Sequence, residues 1–201
     1  MIKIIVSVCI VFSVFASSTH HVGVFCAADD QVPKLYKDQA AELGLALYEA
    51  GFGLVTGGCN SGLMNAVVNG YASQETTEHL RAYIPALFRT CNVHHPKIPE
   101  ENLVWTDTIH QQLQGFQDSC ETMVVLPGGF GTLHELMGFI VPKQWGLTEK
   151  KIILFNMDNY WDHQLLQFKV MVNKNALKQK HLDLLTVVTT VDECILAIKS
   201  R

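Results

Sequence analysis

A glutamate that follows a glycine-rich turn is the clearest candidate for chemistry in this chain. Residues 123–126 form a short apolar run, Pro127 and three glycines follow, and an apolar pattern at helical spacing continues to residue 140. This order predicts a strand, a tight turn and a helix. The free N–H groups and the positive end of such a helix bind anions such as a phosphate monoester. Glu135, a few residues into the helix, is therefore a candidate catalytic carboxylate next to a phosphate site.

The predicted phosphate site consists of the turn itself. Its glycines are expected to adopt positive φ angles and to let the backbone approach a ligand closely. Thr132 adds a hydroxyl group. The alternative for Glu135 is a solvated acid in the first turn of the helix, where it would favour the helix dipole. The residues assigned to the phosphate site are Gly128, Gly129, Phe130, Gly131 and Thr132.

A second glycine-rich turn follows an earlier apolar run. Residues 54–56 lead into Gly57 and Gly58, and Gly62 opens another apolar helical pattern. The two turns carry the motifs GG-x-x-x-GLM and PGG-F-GT-x-x-E. In this pair of motifs the chain resembles the LOG family of cytokinin riboside 5'-monophosphate phosphoribohydrolases, often labelled lysine decarboxylase-like. The resemblance extends over residues 21–198.

The resemblance implies hydrolysis of the N-glycosidic bond of a nucleoside 5'-monophosphate, which releases a free base and ribose 5-phosphate. It places Glu135 beside the ribose, where a carboxylate stabilises the positive charge of the transition state. It also implies a homodimer that pairs through helices flanking the site, with residues 139–145 and the helix from Leu63 as contributors. The implied substrate-binding residues are Gly57, Gly58, Gly62 and His110, together with the phosphate site.

The helix before the PGG strand departs from the family pattern. Where the family carries M-H-E-R-K, residues 109–113 read IHQQL, so Gln112 stands at the arginine position and Leu113 at the lysine position, while His110 is retained. Glutamine can hydrogen-bond Glu135 or a ribose hydroxyl, but it supplies no charge and no bidentate fork. Gln112 is therefore a candidate catalytic residue with weakened function. Pro142 is expected to kink the following helix or end it early.

Two functions from different classes fit this pattern. The first is a phosphoribohydrolase that acts on cytokinin riboside monophosphate or an AMP-like nucleotide. The second is a catalytically impaired protein that binds the nucleotide phosphate without turnover. Residues 26–30, after the first strand, contain no glycine, which disfavours NAD and FAD. No lysine stands beside either glycine turn, which disfavours pyridoxal phosphate chemistry, so we expect no cofactor.

The composition of the chain and the spacing of its histidines and cysteines indicate which class of ligand it binds. The net charge of −4, the pI near 6.1 and the absence of a basic run argue against a nucleic-acid partner and favour a small molecule. His94 and His95 have no carboxylate at ligand spacing, so we expect a surface loop there and no metal site. The six cysteines lie far apart without a CxxC pair, which predicts buried free thiols.

The first eighteen residues differ from the rest of the chain. Lys3 precedes an apolar run at residues 4–16, and small residues follow at 16–18. This pattern is typical of a signal peptide and is too short to span a membrane comfortably. We interpret residues 1–18 as a possible signal peptide or leader, which suggests export. The alternative is a cytoplasmic enzyme, since removal of Cys9 would leave an odd number of cysteines.

Strand and helix signals alternate from residue 21 onward. This alternation predicts a mostly parallel sheet covered by helices on both faces. Residues 19–201 are therefore predicted to form one α/β, doubly wound, Rossmann-like domain, with its ligand crevice beyond the carboxyl ends of the strands. Strands are predicted at 22–26, 52–56, 80–84, 103–105, 123–126 and 151–156, and helices at 36–50, 63–73, 109–120, 161–173 and 191–199.

Overall fold

The computed structural model describes residues 19–74, 77–91 and 93–200, so the predicted leader lies outside the described residues. Seven strands of this part of the chain form one parallel sheet: β1 (His21–Phe25), β2 (Gly53–Thr56), β3 (Leu80–Pro85), β4 (Leu103–Thr106), β5 (Thr122–Val125), β6 (Lys151–Phe155) and β7 (Thr186–Val188). The helices are α1 (Lys34–Glu49), α2 (Gly62–Tyr71), α3 (Ile109–Ser119), α4 (Phe130–Gln144), α5 (Asp162–Asn173) and α6 (Val191–Lys199).

The strand order is β4–β3–β2–β1–β5–β6–β7. The chain first adds strands on one side of β1 and then continues on the other side from β5. Because the connections diverge between β1 and β5, a crevice opens beyond the carboxyl ends of these strands, which is where doubly wound sheets bind ligands. The predicted fold class is confirmed.

Helices cover both faces of the sheet. Four strands are apolar and buried along all or nearly all of their length (β1, β2, β5 and β6), which is typical of a parallel sheet with two covered faces. One core packs α1, α2 and α6 against side chains such as Val24 and Leu54. The other packs α3 and α4 against Phe25 and Val125.

Two local features differ from expectation. The strand β7 was not predicted, and its three residues include only one buried side chain, Val188. The helix α4 continues past Pro142 to Gln144, so the predicted early end is wrong. Proline removes the N–H group that would bond the Gly138 carbonyl, and the side chain of Gln117 donates to that carbonyl instead, at 2.7 Å. Among the helices described, none is both long and apolar enough to cross a bilayer.

Candidate active site

A cavity of about 520 Å³ lies at the carboxyl ends of β1, β2, β3 and β5. Both glycine-rich turns reach it, as the parallel topology requires. Most of its wall is apolar, with the exceptions of Gln112, Cys59, His134 and Glu135. The lining residues are Ala28, Gly57, Cys59, Met64, Ile84, Pro85, Phe88, Val93, Ile109, Gln112, Leu113, Phe116, Phe130, Gly131, His134 and Glu135.

The N-terminus of α4 is open towards this cavity. The helix begins at Phe130 after Gly129, and no side chain caps it. Its first bonded N–H is that of Leu133, which donates to the Gly129 carbonyl at 3.0 Å, so the N–H groups of residues 130–132 have no acceptor within the helix. Phe130 and Gly131 line the cavity. These donors and the positive helix end form a site for an anion.

Thr132 and Gly128 lie behind this turn. The Thr132 side chain is buried and occupies the space that a Cβ atom at residue 128 would need. The Gly128 carbonyl accepts a hydrogen bond of 2.8 Å from the Tyr160 hydroxyl. Neither Gly128 nor Thr132 lines the cavity. Both lie on the side of the turn that faces the protein interior and stabilise its conformation. The three glycines of this turn do not have positive φ angles, so that expectation is wrong.

Positive φ angles occur instead in the first glycine-rich turn, at Gly58 (72°) and Gly62 (59°). The N-terminus of α2 is already occupied there. The Gly62 N–H donates to the Asp30 carboxylate at 2.8 Å, and the Leu63 N–H donates to the Ala27 carbonyl at 2.9 Å. Of the three predicted glycines in this turn, only Gly57 lines the cavity. Gly58 and Gly62 shape the turn, so the open N-terminus of α4 is the candidate anion site.

Glu135 lies in the cavity wall and is 9% exposed. No described residue donates a hydrogen bond to its carboxyl group or forms an ion pair with it. A hydrogen bond from Gln112 would have provided such a partner. Burial without a compensating partner raises the pKa of Glu135 from its usual value of 4.5 to about 8. The carboxyl group is therefore mostly protonated at neutral pH in the free protein.

Gln112 lines the cavity, but it faces the neighbouring strand. Its side-chain nitrogen donates to the Tyr83 carbonyl of β3 at 2.7 Å, and it lies close to Gly57. The expected hydrogen bond from Gln112 to Glu135 is absent from this structure. Leu113 packs against Gly138 of α4, so an apolar side chain fills the position of the family's lysine.

Two histidines meet where α3 and α4 approach each other. The ring centroids of His110 and His134 are 6.1 Å apart. His110, predicted to bind substrate, is exposed and does not line the cavity. His134 does line it, although the sequence assigned it no role. The signal available for His134 was its position beside Glu135.

Sequence reasoning also missed the apolar wall of the cavity. This wall includes Ile84 and Pro85 at the end of β3, Phe88 in the 3-10 segment Ala86–Cys91, and Val93. An isolated antiparallel β-bridge pairs the backbone of Cys59 with that of His94. It places the loop that contains Val93 beside the first glycine-rich turn. The available signal was the pair Ile84-Pro85 at the end of a predicted strand.

No group of three or more His, Cys, Asp or Glu side chains in the described part of the chain could hold a metal ion. His95 is buried, so the prediction of a surface loop is wrong for this residue. Burial lowers its pKa to about 4.

Five cysteines are described and all are free; Cys59 is half-buried and Cys91 is exposed, contrary to the expectation of buried thiols.

The comparison with known families decides the assignment. The model of a family described as "Possible lysine decarboxylase" matches residues 64–198. The chain belongs to this family. Curated relatives carry the LOG name. The chain is 29% identical to the probable cytokinin riboside 5'-monophosphate phosphoribohydrolase LOGL2 of Oryza sativa subsp. japonica, over 90% of this chain and 73% of the relative. It is 26% identical to the phosphoribohydrolase LOG3 of Arabidopsis thaliana, over 89% and 81%.

Solved structures share the fold. The molybdenum cofactor binding protein of Rippkaea orientalis superposes with a TM-score of 0.68 at 19% identity, covering 92% of this chain and 98% of that one. The Moco carrier protein of Chlamydomonas reinhardtii gives a TM-score of 0.65 at 18% identity, covering 90% and 96%. At these identities the likeness concerns the fold alone. The predicted membership of the LOG family rests on the sequence relatives and is confirmed.

Proposed function

We propose that this protein hydrolyses the N-glycosidic bond of a nucleoside 5'-monophosphate to a free base and ribose 5-phosphate. The observation that carries the proposal is the placement of the open α4 N-terminus and Glu135 on one cavity. Gly131 and Glu135 are one helical turn apart, about 6 Å along the axis. A ribose bound by its 5'-phosphate at the helix start therefore brings its anomeric carbon towards the carboxyl group.

The chemistry requires the ionised form of Glu135. Bond cleavage develops positive charge on the ribose, and an adjacent carboxylate stabilises this charge and accepts a proton from the attacking water. Since burial raises the pKa of Glu135 to about 8, only a minor fraction of the free protein is ionised at neutral pH. The carboxylate that forms is poorly solvated and therefore interacts strongly with the cationic ribose.

In this proposal the base of the nucleotide packs against the apolar wall of the cavity. Phe88 and Ile109 are exposed apolar side chains of this wall and offer a surface for a purine ring or an apolar base substituent. Cytokinin riboside monophosphate and AMP-like nucleotides meet this requirement, and the names of the curated relatives support the first of them. No lysine lines the described cavity, so the decarboxylase description of the family has no support in the site.

A nucleotide-binding protein without turnover is the second candidate. The Gln112 amide bonded to the Tyr83 carbonyl and the raised pKa of Glu135 favour it, because no arginine or lysine of the described cavity wall stabilises the carboxylate. The anion site does not depend on either residue. A binder of this kind would retain phosphate recognition and lose catalysis.

A panel of nucleoside 5'-monophosphates separates the two functions. The purified protein is incubated with each nucleotide, and free base is measured by chromatography beside thermal stabilisation. Base release that disappears in Glu135→Gln supports hydrolysis. Thermal stabilisation by nucleotides without any release of base contradicts hydrolysis and supports the binder.

Gly131→Ala is expected to weaken nucleotide binding at least about 10-fold without loss of stability. No atom lies within 4 Å of a Cβ atom placed there, and alanine is favoured over glycine within a helix by about 1 kcal/mol. The added methyl group occupies space in the anion site. Calorimetric titration with a nucleoside monophosphate measures the effect, with the unphosphorylated nucleoside as the control. Equal loss for both ligands would place the phosphate elsewhere.

The proposed assembly is a homodimer that pairs through α4 and the turn after it. Exposed apolar side chains lie along this segment: Phe130 (92% exposed), Val141 (50%), Trp145 (73%) and Leu147 (78%). The structure does not favour α2 as a contributor, since its large apolar side chains are buried or half-buried. These exposed large apolar side chains support the proposed interface, since apolar surface of this kind is often covered by a partner.

Sedimentation tests the dimer. The protein is expected to sediment as a dimer at micromolar concentration, and Trp145→Glu is expected to shift it to monomer because a charge cannot be desolvated in an apolar interface. Leu196→Glu is the matched control, since Leu196 is 67% exposed on α6. A monomeric wild-type protein, or equal effects of the two substitutions, contradicts this interface.

A further inference from the structure

Hydrolysis of a nucleotide leaves a base that must take up a proton. The electron pair of the bond between the anomeric carbon and the base nitrogen stays with the base when this bond breaks. An anionic base is a poor leaving group, so a positioned acid commonly accelerates such a step by about 10²–10⁴-fold. In the proposed function Glu135 faces the ribose and accepts a proton from the attacking water. A second side chain is therefore needed to donate a proton to the base.

Few described side chains in the cavity wall carry a proton that they can transfer. Besides Glu135, these are Cys59 and His134. The Cys59 sulfur belongs to the first glycine-rich turn and lies 3.1 Å from the Ser61 hydroxyl. The Gln112 amide does not titrate and donates to Tyr83. Imidazole is the side chain best suited to exchange protons near neutral pH.

The position of His134 matches this task. It directly precedes Glu135 on α4, and both side chains line the cavity. Its ring lies beside that of His110 at the start of α3, and the same helix supplies the exposed Ile109 to the apolar wall assigned to the base. The imidazole therefore lies next to the helix that contributes to this wall.

We propose that His134 is the general acid that protonates the departing base. The inference rests on the proposed function and adds a catalytic residue to it. The bond from the anomeric carbon to the base breaks, its electron pair goes to the base, and the protonated imidazole delivers a proton to a base nitrogen. Water forms the new bond to the anomeric carbon and gives its proton to the Glu135 carboxylate. Transfer of that proton to His134, directly or through solvent, restores the starting state.

The surroundings of His134 permit this cycle. Among the described residues, Glu135 and Cys59 are the other titratable groups that line the cavity, and His110 on α3 lies beside the His134 ring. His134 itself is exposed, so solvent can return its proton after each turnover. Its exposure also means that replacement leaves no buried void.

His134→Gln is tested on two substrates that share ribose 5-phosphate. AMP has a leaving group that needs a proton, whereas the 4-nitrophenyl β-ribofuranoside 5-phosphate releases a stable anion and needs none. We expect kcat to fall by at least about 10²-fold on AMP and by less than about 3-fold on the nitrophenyl compound. His163→Gln, a change at an exposed histidine of α5, is the control and leaves both rates unchanged.

The remaining outcomes of this test each contradict one part of the proposal. Equal losses on both substrates, or no loss on either, exclude a proton donor and overturn the role of His134. The variant His134→Asn repeats the test with a shorter amide, and its thermal unfolding reports folding. If the wild-type protein cleaves neither the nitrophenyl compound nor any nucleotide of the panel, the proposed hydrolysis itself fails, and the role of His134 fails with it.

Discussion

Replacement of Gln112 by arginine is expected to raise the turnover of nucleoside monophosphates by about 10²-fold, the range that one positioned electrostatic group supplies. Gln112 lines the cavity with Glu135 but donates to the Tyr83 carbonyl. A guanidinium group in its place stabilises the ionised carboxylate and lowers its pKa from about 8. The rise of activity with pH should therefore begin at lower pH in the variant.

Steady-state kinetics with the nucleotide that the panel identifies measure this change. The dissociation constant should move far less than kcat, since the anion site at α4 does not involve Gln112. Gln114→Arg, which adds the same charge on an exposed part of α3, is the matched control. Leu113→Lys is added if the single change is insufficient, because Leu113 packs against Gly138 and its bulk restricts the new side chain. If neither variant gains turnover, while Gly131→Ala still weakens nucleotide binding, the missing arginine is not what limits catalysis.

Glu135→Gln is expected to stabilise the protein at alkaline pH and to leave its stability unchanged below pH 4.5. The folded protein holds the proton of Glu135 up to about pH 8, whereas the unfolded chain releases it near pH 4.5. The unfolded state therefore binds fewer protons between these values, and the free energy of unfolding falls as pH rises through this window. Each pKa unit corresponds to about 1.4 kcal/mol, so the carboxylate costs several kcal/mol at pH 9.

Thermal unfolding across this pH range measures the cost. For a chain of this size, about 2–4 °C of Tm per kcal/mol gives an expected gain of roughly 10–20 °C for Glu135→Gln at pH 9 and none at pH 4. Glu149→Gln, at an exposed carboxylate between α4 and β6, is the control and should show no such trend. A gain that does not grow with pH would mean that Glu135 is already ionised in the folded protein at neutral pH.

Local signals in the sequence predicted much of the fold. The apolar β-branched runs are buried on both faces of a parallel sheet, so they stand out from the polar segments on either side. The strand, turn and helix around Glu135 were predicted with the right order because proline, glycine and helical periodicity each mark a boundary. The three residues of β7 escaped prediction, since a strand so short shows no period.

The details of the site depend on contacts that no local pattern contains. By its position in the sequence, Gln112 can bond Glu135 or a ribose hydroxyl, and in the structure its amide bonds the Tyr83 carbonyl of a strand distant in sequence. The raised pKa of Glu135 follows from burial by several elements of the fold. The glycines at 128–131 were expected to have positive φ angles, whereas Gly128 is needed because Thr132 packs on it. Such requirements become visible only when distant segments are placed together.

Product analysis tests the central claim most directly. The protein is incubated with AMP and with the nucleotide of a cytokinin riboside, and base and ribose 5-phosphate are both quantified over time. The proposed function predicts equal amounts of the two products from at least one nucleotide, and no products from Glu135→Gln. Nucleotide binding without products, or release of nucleoside and inorganic phosphate, would contradict hydrolysis of the N-glycosidic bond.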